Sequence, residues 1–315
     1  MQRALRNHKP IRYQIRIEWI KVKMKVKVVE DSKFKFKRVE PIPTQEEVEK
    51  FYAKEFYDAN AQYFNNSALL LQQEQSDFFN SRWKAIYDQL QSFFGDAIRD
   101  KSVFDIGFGF AQALIYFKNK GLTVSGLEPS KEGVDYAREN DIDAVHGGIE
   151  NFELIKNKSD VVLLLNVLEH LRQPQNTLLN IRDKLLTADG MLVIDVPNDF
   201  NDFQIVADAE YDLDEWWVFP PNHINYFSHD SLQRLLEGCG FEIVYCTSAF
   251  PLEMFLLFGD QYVGNPVLGR DCHNKRVRFE QLMEKHGKTE KLKMFYDALA
   301  DLNLGRSISV YATPK

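Results

Sequence analysis

Two glycines and two acidic residues stand at a spacing that suits the binding of a nucleoside. A short apolar run that contains Asp105 ends at Gly107 and Gly109, and a second apolar run about twenty residues later ends at Glu128. Residues 112–119 between the two runs have a helical pattern. In a strand–turn–helix–strand unit the turn backbone and the helix N-terminus face a ligand, and the second acid can bind a ribose diol. The spacing therefore predicts a ligand site at this crossover.

The charges around this turn favour a cationic ligand over a pyrophosphate. The dinucleotide-binding fingerprint requires glycine or alanine at its sixth position, where this chain has Gln112. The carboxylate of Asp105 would also repel a pyrophosphate, because like charges disfavour each other. S-adenosylmethionine has no phosphate and carries a sulfonium and an ammonium group, so acids around the turn suit it. The sequence therefore predicts S-adenosylmethionine as the cofactor.

At these residues the chain resembles the class I S-adenosylmethionine-dependent methyltransferases, whose first motif reads D-x-G-x-G-x-G. Ala111 stands where the motif has its last glycine, a replacement that costs little if the backbone there keeps a negative φ. The resemblance implies that the backbone at Gly107 and Gly109 approaches the methionine portion of the cofactor, with Asp105 beneath it. It also implies that Glu128 binds the ribose.

The same resemblance assigns cofactor contacts outside the glycine turn. Pro129 directly follows Glu128, the residue that would bind the ribose. The loop after the third strand would flank the adenine, with Ile149 against the face of the ring and Glu150 as the neighbouring polar group. Arg82 belongs to a helix predicted at residues 75–94. In many relatives such an arginine meets the carboxylate of the methionine portion, and the alternative is an ordinary exposed arginine on a helix.

A buried strand predicted at residues 160–165 leads into a second group of polar residues. Ligands bind beyond the carboxyl ends of the central strands of an open parallel sheet, so Asn166 to His170 should border the pocket. This segment resembles the fourth motif of these methyltransferases, which ends in Leu-Glu-His, and the resemblance implies that Asn166 and Leu168 contact the cofactor. Glu169 and His170 either act in acid–base catalysis or only help to form the pocket, and both alternatives stay open.

A histidine further along the chain is the candidate general base. The segment from Asn222 to Ser228 resembles that of relatives acting on sugars, quinones and similar small molecules. Some deoxysugar C-methyltransferases have glutamate where this chain has Asn222, so their carboxylate-assisted base is missing here. The unperturbed pKa of histidine suits proton removal at neutral pH, which makes His223 the candidate. The alternative is a histidine that closes the pocket by hydrogen bonding.

The fold that the resemblance implies is an α/β, Rossmann-like, mostly parallel sheet of seven strands with helices on both faces and an antiparallel last strand. Local signals add a helix at residues 175–186 with Asp189-Gly190 as its glycine stop. They also predict a strand at residues 191–198 and an irregular segment at residues 199–220. Acceptor specificity would be built at that irregular edge.

Three regions follow from these predictions. They are a basic β-hairpin extension at residues 1–40, a helical lead-in or lid at 41–95, and the methyltransferase domain at 96–315. An insertion at 251–304 interrupts the final hairpin of this domain, with a loop to residue 276 followed by an amphipathic helix. It is too long for a turn and predicts a cap over the acceptor pocket or a surface for a homodimer.

Lysine and apolar residues alternate on both sides of Glu30-Asp31-Ser32, which predicts a β-hairpin with one lysine face. Its second strand is predicted at residues 33–37. Lysines on such a face either protect an edge strand from aggregation or bind an anionic partner. Thr44 and Glu47 have the spacing of a capping box and predict the start of a helix.

The composition, with 44% hydrophobic and 27% charged residues in 315, is that of an ordinary globular protein. No apolar run is long enough to span a membrane. Three cysteines without zinc-type pairing predict no metal site and suit a reducing compartment, so cytoplasmic location is the expectation. The net charge of −7 divides into +9 for residues 1–40 and −16 for the remainder. The acidic remainder argues against a nucleic-acid partner.

We therefore expect a methyltransferase that acts on a small hydroxylated acceptor, sugar-like or lipid-linked, with transfer to oxygen favoured. This preference comes from the resemblance and not from any spacing. Transfer to carbon or nitrogen is an alternative, as is a non-catalytic scaffold that binds the cofactor and uses the basic hairpin to recruit an anionic partner. A nucleic-acid methyltransferase is disfavoured, because no Asn/Asp-Pro-Pro-Tyr/Phe motif follows the fourth strand.

Overall fold

The computed structural model describes residues 26–50 and 76–315, and in these residues ten strands form two sheets. The strands are β1 (Lys27–Glu30), β2 (Lys37–Glu40), β3 (Ser102–Ile106), β4 (Thr123–Glu128), β5 (Asp143–His146), β6 (Ser159–Leu165), β7 (Leu186–Pro197), β8 (Asn225–Tyr226), β9 (Phe241–Ser248) and β10 (Ser307–Pro314). The α-helices of the same residues are α1 (Gln45–Lys50), α2 (Ser76–Phe94), α3 (Gln112–Asn119), α4 (Lys131–Glu139), α5 (Pro174–Asn180), α6 (Asp202–Tyr211), α7 (His229–Gly238), α8 (Glu253–Leu257), α9 (Pro266–Lys285) and α10 (Thr289–Asp301). None of these helices is both long and apolar enough to cross a membrane.

Seven strands form the central sheet in the order β5-β4-β3-β6-β7-β10-β9. The strands from β3 to β7 pair in parallel, whereas β10 is antiparallel to both of its neighbours, β7 and β9. The apolar residues of β6 and β7 are buried on both faces of the sheet, as a parallel sheet covered by helices requires. The predicted fold, with seven mostly parallel strands and an antiparallel last strand, is confirmed.

The strand order reverses between β3 and β6, with β4 and β5 on one side of this point and β7 on the other. Ligands of open α/β sheets bind beyond the carboxyl ends of the strands at such a point. Gly107 directly follows β3 and Asn166 directly follows β6. The topology therefore puts the glycine turn and the second polar segment at neighbouring strand ends.

Two local predictions around β7 are wrong. The helical turn after α5 ends at Leu185, and Gly190 lies inside β7 instead of ending a helix. A side chain on Gly190 would meet the Asp160 carbonyl oxygen at 2.8 Å, so the close approach of two strands explains the glycine. The segment 199–220 is not irregular throughout, because α6 forms within it behind the N-cap Asn201.

The insertion at residues 251–304 is largely helical and contains α8, α9 and α10. The long loop predicted to residue 276 is wrong, because α9 begins directly after its N-cap, Asn265. The last helix of the insertion lies against β9, where Tyr245 donates a hydrogen bond to Asp297 at 2.7 Å. The insertion is therefore attached to the far edge of the central sheet.

The N-terminal hairpin forms, but its turn is longer than predicted. β1 pairs with β2 from Lys27 opposite Glu40 to Glu30 opposite Lys37. The Asp31 carboxylate accepts two backbone N–H bonds within the turn, which occupies residues 31–36. The second strand was predicted at residues 33–37, and it starts only at Lys37. The part of the prediction that concerns residues 1–25 lies outside the described residues, as do residues 51–75 of the predicted helical lead-in or lid.

Backbone pairing and buried rings join the hairpin to the rest of the protein. β2 pairs with β8 in a three-stranded sheet, with Lys37 opposite Tyr226. Phe34 and Phe36 point from the turn into the core, where the ring of Phe36 lies 5.2 Å from that of Phe227. The predicted capping box after β2 is also confirmed, since Thr44 and Glu47 bond each other's backbone N–H groups.

Candidate active site

The glycine turn after β3 is held in place from two directions. The Gly107 N–H donates to the Leu127 carbonyl at 2.7 Å, and a side chain on Gly107 would collide with Val167 at 2.7 Å. Gly107 and Gly109 have φ of +72° and +55°, values that favour glycine. A side chain on Gly109 would meet no atom within 4 Å, so the backbone at Gly109 borders open space.

Glu128, at the end of β4, bonds the glycine turn directly. One of its carboxylate oxygens accepts from the Gly109 N–H at 2.8 Å, and the other accepts from the Ser130 N–H at 2.8 Å. The residue is only 6% exposed, and this burial raises the pKa of Glu128 in spite of the two hydrogen bonds. Each carboxylate oxygen can accept a further hydrogen bond, so Glu128 can still receive two hydroxyl donors. Pro129, the next predicted cofactor residue, is exposed beside it.

Asp105 lies buried in β3 directly before the turn. Burial, together with the charge of Glu128, raises the pKa of Asp105 well above its ordinary value. A cation bound over the turn would favour the ionised carboxylate. The two acids and the open side of Gly109 thus fit a ligand with a ribose and a positive charge, as S-adenosylmethionine is.

Ala111 departs from the prediction made for it. Its φ is +54°, in the left-handed region, so the condition under which the alanine costs little is not met. This conformation costs a non-glycine residue about 1–2 kcal/mol. The residue is completely buried at the start of α3, where its methyl group packs in the core beneath the turn. That packing offsets part of the cost.

Gly133 in α4 supports the turn from below, and replacing it should disturb cofactor binding. A Cβ at this position would lie 2.3 Å from the Gly109 carbonyl oxygen, a backbone atom that cannot move away alone. We expect Gly133→Ala to lower the free energy of unfolding by about 1–3 kcal/mol and to weaken S-adenosylmethionine binding.

Gly269 in α9 is a matched control for this substitution. A Cβ there would meet nothing within 4 Å, so Gly269→Ala should stabilise the helix by about 0.5–1 kcal/mol. Urea unfolding and calorimetric titration with S-adenosylmethionine measure both variants. A Gly133→Ala protein that is as stable as the wild type and binds equally well would contradict the role given to this glycine.

The predicted adenine contacts lie in the loop after β5. Ile149 is half-buried and packs against the core, whereas Glu150 is exposed. The Gly148 N–H donates to the Asn151 side chain at 3.0 Å, which closes the loop. Leu168, also predicted as a cofactor contact, is completely buried among core residues, so only its backbone is available to a ligand.

Arg82 reaches from α2 across the carboxyl ends of β6 and β7. Its guanidinium donates to the Asp195 carboxylate at 2.9 Å and to the Asn166 side chain at 3.2 Å. The second oxygen of Asp195 accepts from the Ser309 hydroxyl. Arg82 is therefore not a free surface arginine, because Asp195 fixes it beside the polar segment that follows β6.

Three predicted site residues meet on one side of the sheet: Glu169, His170 and His223. The Nε2 of His170 lies 3.6 Å from a Glu169 carboxylate oxygen, and the His170 and His223 rings meet edge to face at 5.0 Å. The backbone joins the two segments, since the Ile224 N–H donates to the Glu169 carbonyl at 2.8 Å. The topology thus assembles three residues that the sequence analysis selected from two separate motifs.

Burial changes the proton affinity of these groups. It raises the pKa of Glu169 to about 8, helped by the charges of Asp195 and Asp199. It lowers the pKa of His223 to about 3, with a further contribution from His170, and it lowers the pKa of His170. The unperturbed pKa on which the sequence analysis selected His223 does not hold in the folded protein.

Sequence reasoning assigned no role to several buried charges near this site. Asp195 interrupts the apolar run from Met191 to Pro197 in β7, a signal that was visible in the sequence. Asp199 follows the same strand, and burial raises its pKa to about 7. Glu253 at the start of the insertion is buried and pairs with Arg306, which follows the end of the insertion 53 residues away. No local spacing could reveal that pair.

A family model described as a methyltransferase domain matches residues 78–245, just over half of the chain. A search of curated protein sequences gave no match.

Among solved structures, the chain is similar to a SAM-dependent methyltransferase from Archaeoglobus fulgidus, with 16% identity and a TM-score of 0.48 over 82% of this chain and 99% of that one. It is also similar to magnesium protoporphyrin IX methyltransferase from Synechocystis PCC 6803, with 15% identity and a TM-score of 0.48 over 64% and 92%. With its family model and its sheet topology, the chain belongs to the class I S-adenosylmethionine-dependent methyltransferases.

Proposed function

We propose that this methyltransferase transfers the methyl group of S-adenosylmethionine to oxygen on a small hydroxylated acceptor, sugar-like or lipid-linked. The observation that carries the proposal is the cluster of Glu169, His170 and His223 one strand away from the glycine turn. At neutral pH the raised pKa of Glu169 and the lowered pKa of His223 make both groups uncharged. Uncharged hydrogen-bonding groups suit a substrate with a neutral hydroxyl better than a substrate that carries a charge.

The residues around the glycine turn would hold the cofactor. Glu128 would bind the ribose hydroxyls through its remaining lone pairs, the Gly107–Gly109 backbone would adjoin the methionine portion, and Asp105 would lie beneath its positive charge. Arg82 would face the methionine carboxylate, with Asp195 holding its guanidinium in position. When bound, S-adenosylmethionine supplies an already activated methyl group, so the protein chiefly aligns the acceptor and excludes water.

The acceptor proton would pass to the histidine cluster. His223 is neutral at physiological pH, and neutral imidazole is the form that accepts a proton. Its low pKa makes it a weak base. His170 lies in ring contact with His223, and the Glu169 carboxyl lies beside His170. We therefore assign His223 as the base and the Glu169–His170 pair as the groups that position its ring.

Replacing His223 with alanine should lower turnover at least about tenfold, because general bases commonly contribute more than that. Cofactor affinity should stay unchanged, since His223 does not belong to the glycine turn. Turnover is measured as S-adenosylhomocysteine formed with a panel of hydroxyl, amine and carbon acceptors. His286→Ala, at the exposed end of α9, is the control and should behave as the wild type.

The acceptor panel also separates the competing functions. Wild-type turnover in His223→Ala would remove this residue as the base. Turnover with amines or carbon acceptors alone would replace the proposed O-methylation by N- or C-methylation. Tight cofactor binding without turnover on any acceptor would favour a scaffold. In the described part of the hairpin, however, Lys35 and Arg38 already pair with Glu30 and Asp31, which leaves less charge for an anionic partner.

A further inference from the structure

We propose that Glu169, His170 and His223 bind a divalent first-row transition metal ion, with Zn²⁺ as the best match. One ligand atom from each residue lies within 4.8 Å of the others. The sequence analysis predicted no metal site because it considered cysteine patterns. The fold creates this candidate by joining two segments that are more than fifty residues apart.

The ligand types decide which metal fits. Two imidazoles and one carboxylate are the protein ligands of many catalytic zinc sites, which keep a further position open. The same set serves other first-row metals such as Fe²⁺. Mg²⁺ and Ca²⁺ prefer oxygen ligands alone, so two histidines argue against them.

Two of the three side chains carry buried polar atoms without a hydrogen-bond partner. One is the second carboxylate oxygen of Glu169 and the other is Nδ1 of His223. Glu169 is only 1% exposed, so bulk solvent does not reach it. Buried polar groups in native proteins are usually paired, and an unpaired one calls for an explanation such as an unseen ion. A single cation between these atoms would satisfy both.

The third ligand, His170, has the support that metal-binding histidines usually have. Its Nδ1 lies 2.6 Å from the Asn222 carbonyl oxygen, so Nδ1–H donates there and a metal would bind Nε2. That Nε2 lies 3.6 Å from Oε1 of Glu169, the oxygen next to the unpaired Oε2. Ligand atoms that are each about 2.0–2.2 Å from a tetrahedral metal lie about 3.3–3.6 Å apart. The Asn166 backbone also bonds the His170 ring, and a metal would replace this contact.

The backbone around the cluster limits its movement. The Asn225 side chain donates to the Leu168 carbonyl at 3.2 Å and to the Leu171 carbonyl at 2.7 Å, which clamps the turn that carries Glu169 and His170. The carboxyl groups of Asp195 and Asp199 add to the negative potential at Glu169. The site is therefore pre-formed on one side, and only the His223 ring has to adjust.

The metal would also change how the acceptor is activated, an extension that rests on the proposed function. A hydroxyl bound to a metal loses its proton at a much lower pH than a free one. With the metal bound, His223 is a ligand instead of the base, and the proton of an acceptor hydroxyl in the open position would pass to water. Metal binding itself does not depend on this extension.

Cobalt titration of the metal-free protein tests the proposal. After chelator treatment, Co²⁺ added to the full chain should give one equivalent of visible d–d absorption, which Zn²⁺ should abolish. Glu169→Gln and His223→Gln should bind Co²⁺ about a hundredfold more weakly, since even outer contacts of metal ligands change affinity 10–100-fold. His229→Gln and Cys246→Ser are controls, because this neighbouring pair, 3.2 Å apart, lies outside the cluster. Both controls should titrate as the wild type.

A second measurement on the wild type does not depend on the folding of any variant. Proton NMR of the cobalt-loaded protein should show shifted exchangeable ring protons from two histidines and no thiolate-to-cobalt absorption. No visible absorption, equal affinity in the Glu169→Gln and His223→Gln variants, or a thiolate band would each overturn the proposal. Normal S-adenosylmethionine binding by the metal-free protein would leave the proposed function standing in that case.

Discussion

Replacing Glu128 with alanine is expected to weaken S-adenosylmethionine binding a hundredfold or more. The carboxylate would lose the two ribose hydroxyls, and a hydrogen bond to a charged group contributes about 1.5–3 kcal/mol. The same change also frees the Gly109 and Ser130 N–H groups that Glu128 accepts at 2.8 Å. Calorimetric titration of the purified variant with S-adenosylmethionine measures the loss.

Glu132→Ala is the control for this substitution, since Glu132 is an exposed acid in the first turn of the next helix. It changes the net charge by the same amount and should leave cofactor affinity unchanged. Thermal unfolding without ligand shows how much of the Glu128→Ala effect comes from loosening of the turn. Affinity within twofold of the wild type would refute the assignment of Glu128 to the ribose.

Replacing Phe34 with alanine is expected to lower the free energy of unfolding by about 3–5 kcal/mol, the usual cost of removing a buried aromatic ring. Phe34 is 5% exposed and belongs to the main core, although it comes from the N-terminal hairpin. The ring of Phe34 lies so close to Gly238 that a Cβ on residue 238 would be 2.5 Å from a ring carbon. Urea unfolding followed by far-ultraviolet circular dichroism measures the change.

Phe93, which is 45% exposed at the end of α2, is the matched control. Phe93→Ala should change the stability by no more than about 0.5 kcal/mol, as surface substitutions usually do. If Phe34→Ala were as mild as the control, the hairpin would be an appendage that the methyltransferase fold does not need.

Local spacing predicted that the glycine turn and Glu128 come together. The glycine turn and Glu128 lie within one crossover, so a strand, a turn and a helix were enough to bring them together. The backbone angle at Ala111 was not predictable, because the core around its methyl group decides the balance between strain and packing. Gly190 shows the same limitation, since the approach of a neighbouring strand and not a helix end requires it.

For the proposed acceptor half of the site, the sequence indicated which residues to consider but not their protonation. Glu169, His170 and His223 were selected from motif resemblance, and the fold brings them together. Their pKa values depend on burial by the whole chain, so His223 lost the property for which it was selected. The bonds between Arg82, Asn166 and Asp195 join three separate elements, and only the sheet order could reveal them.

The pairing of β2 with β8 has a practical consequence for shortened forms of this protein. β8 follows His223 by one residue, and the Val39 N–H donates to the Ile224 carbonyl at 3.0 Å. A fragment that begins at residue 96 would leave this strand with an open edge, which invites pairing between molecules. Such a fragment should associate with itself through β8, close to His223, although its cofactor turn is intact.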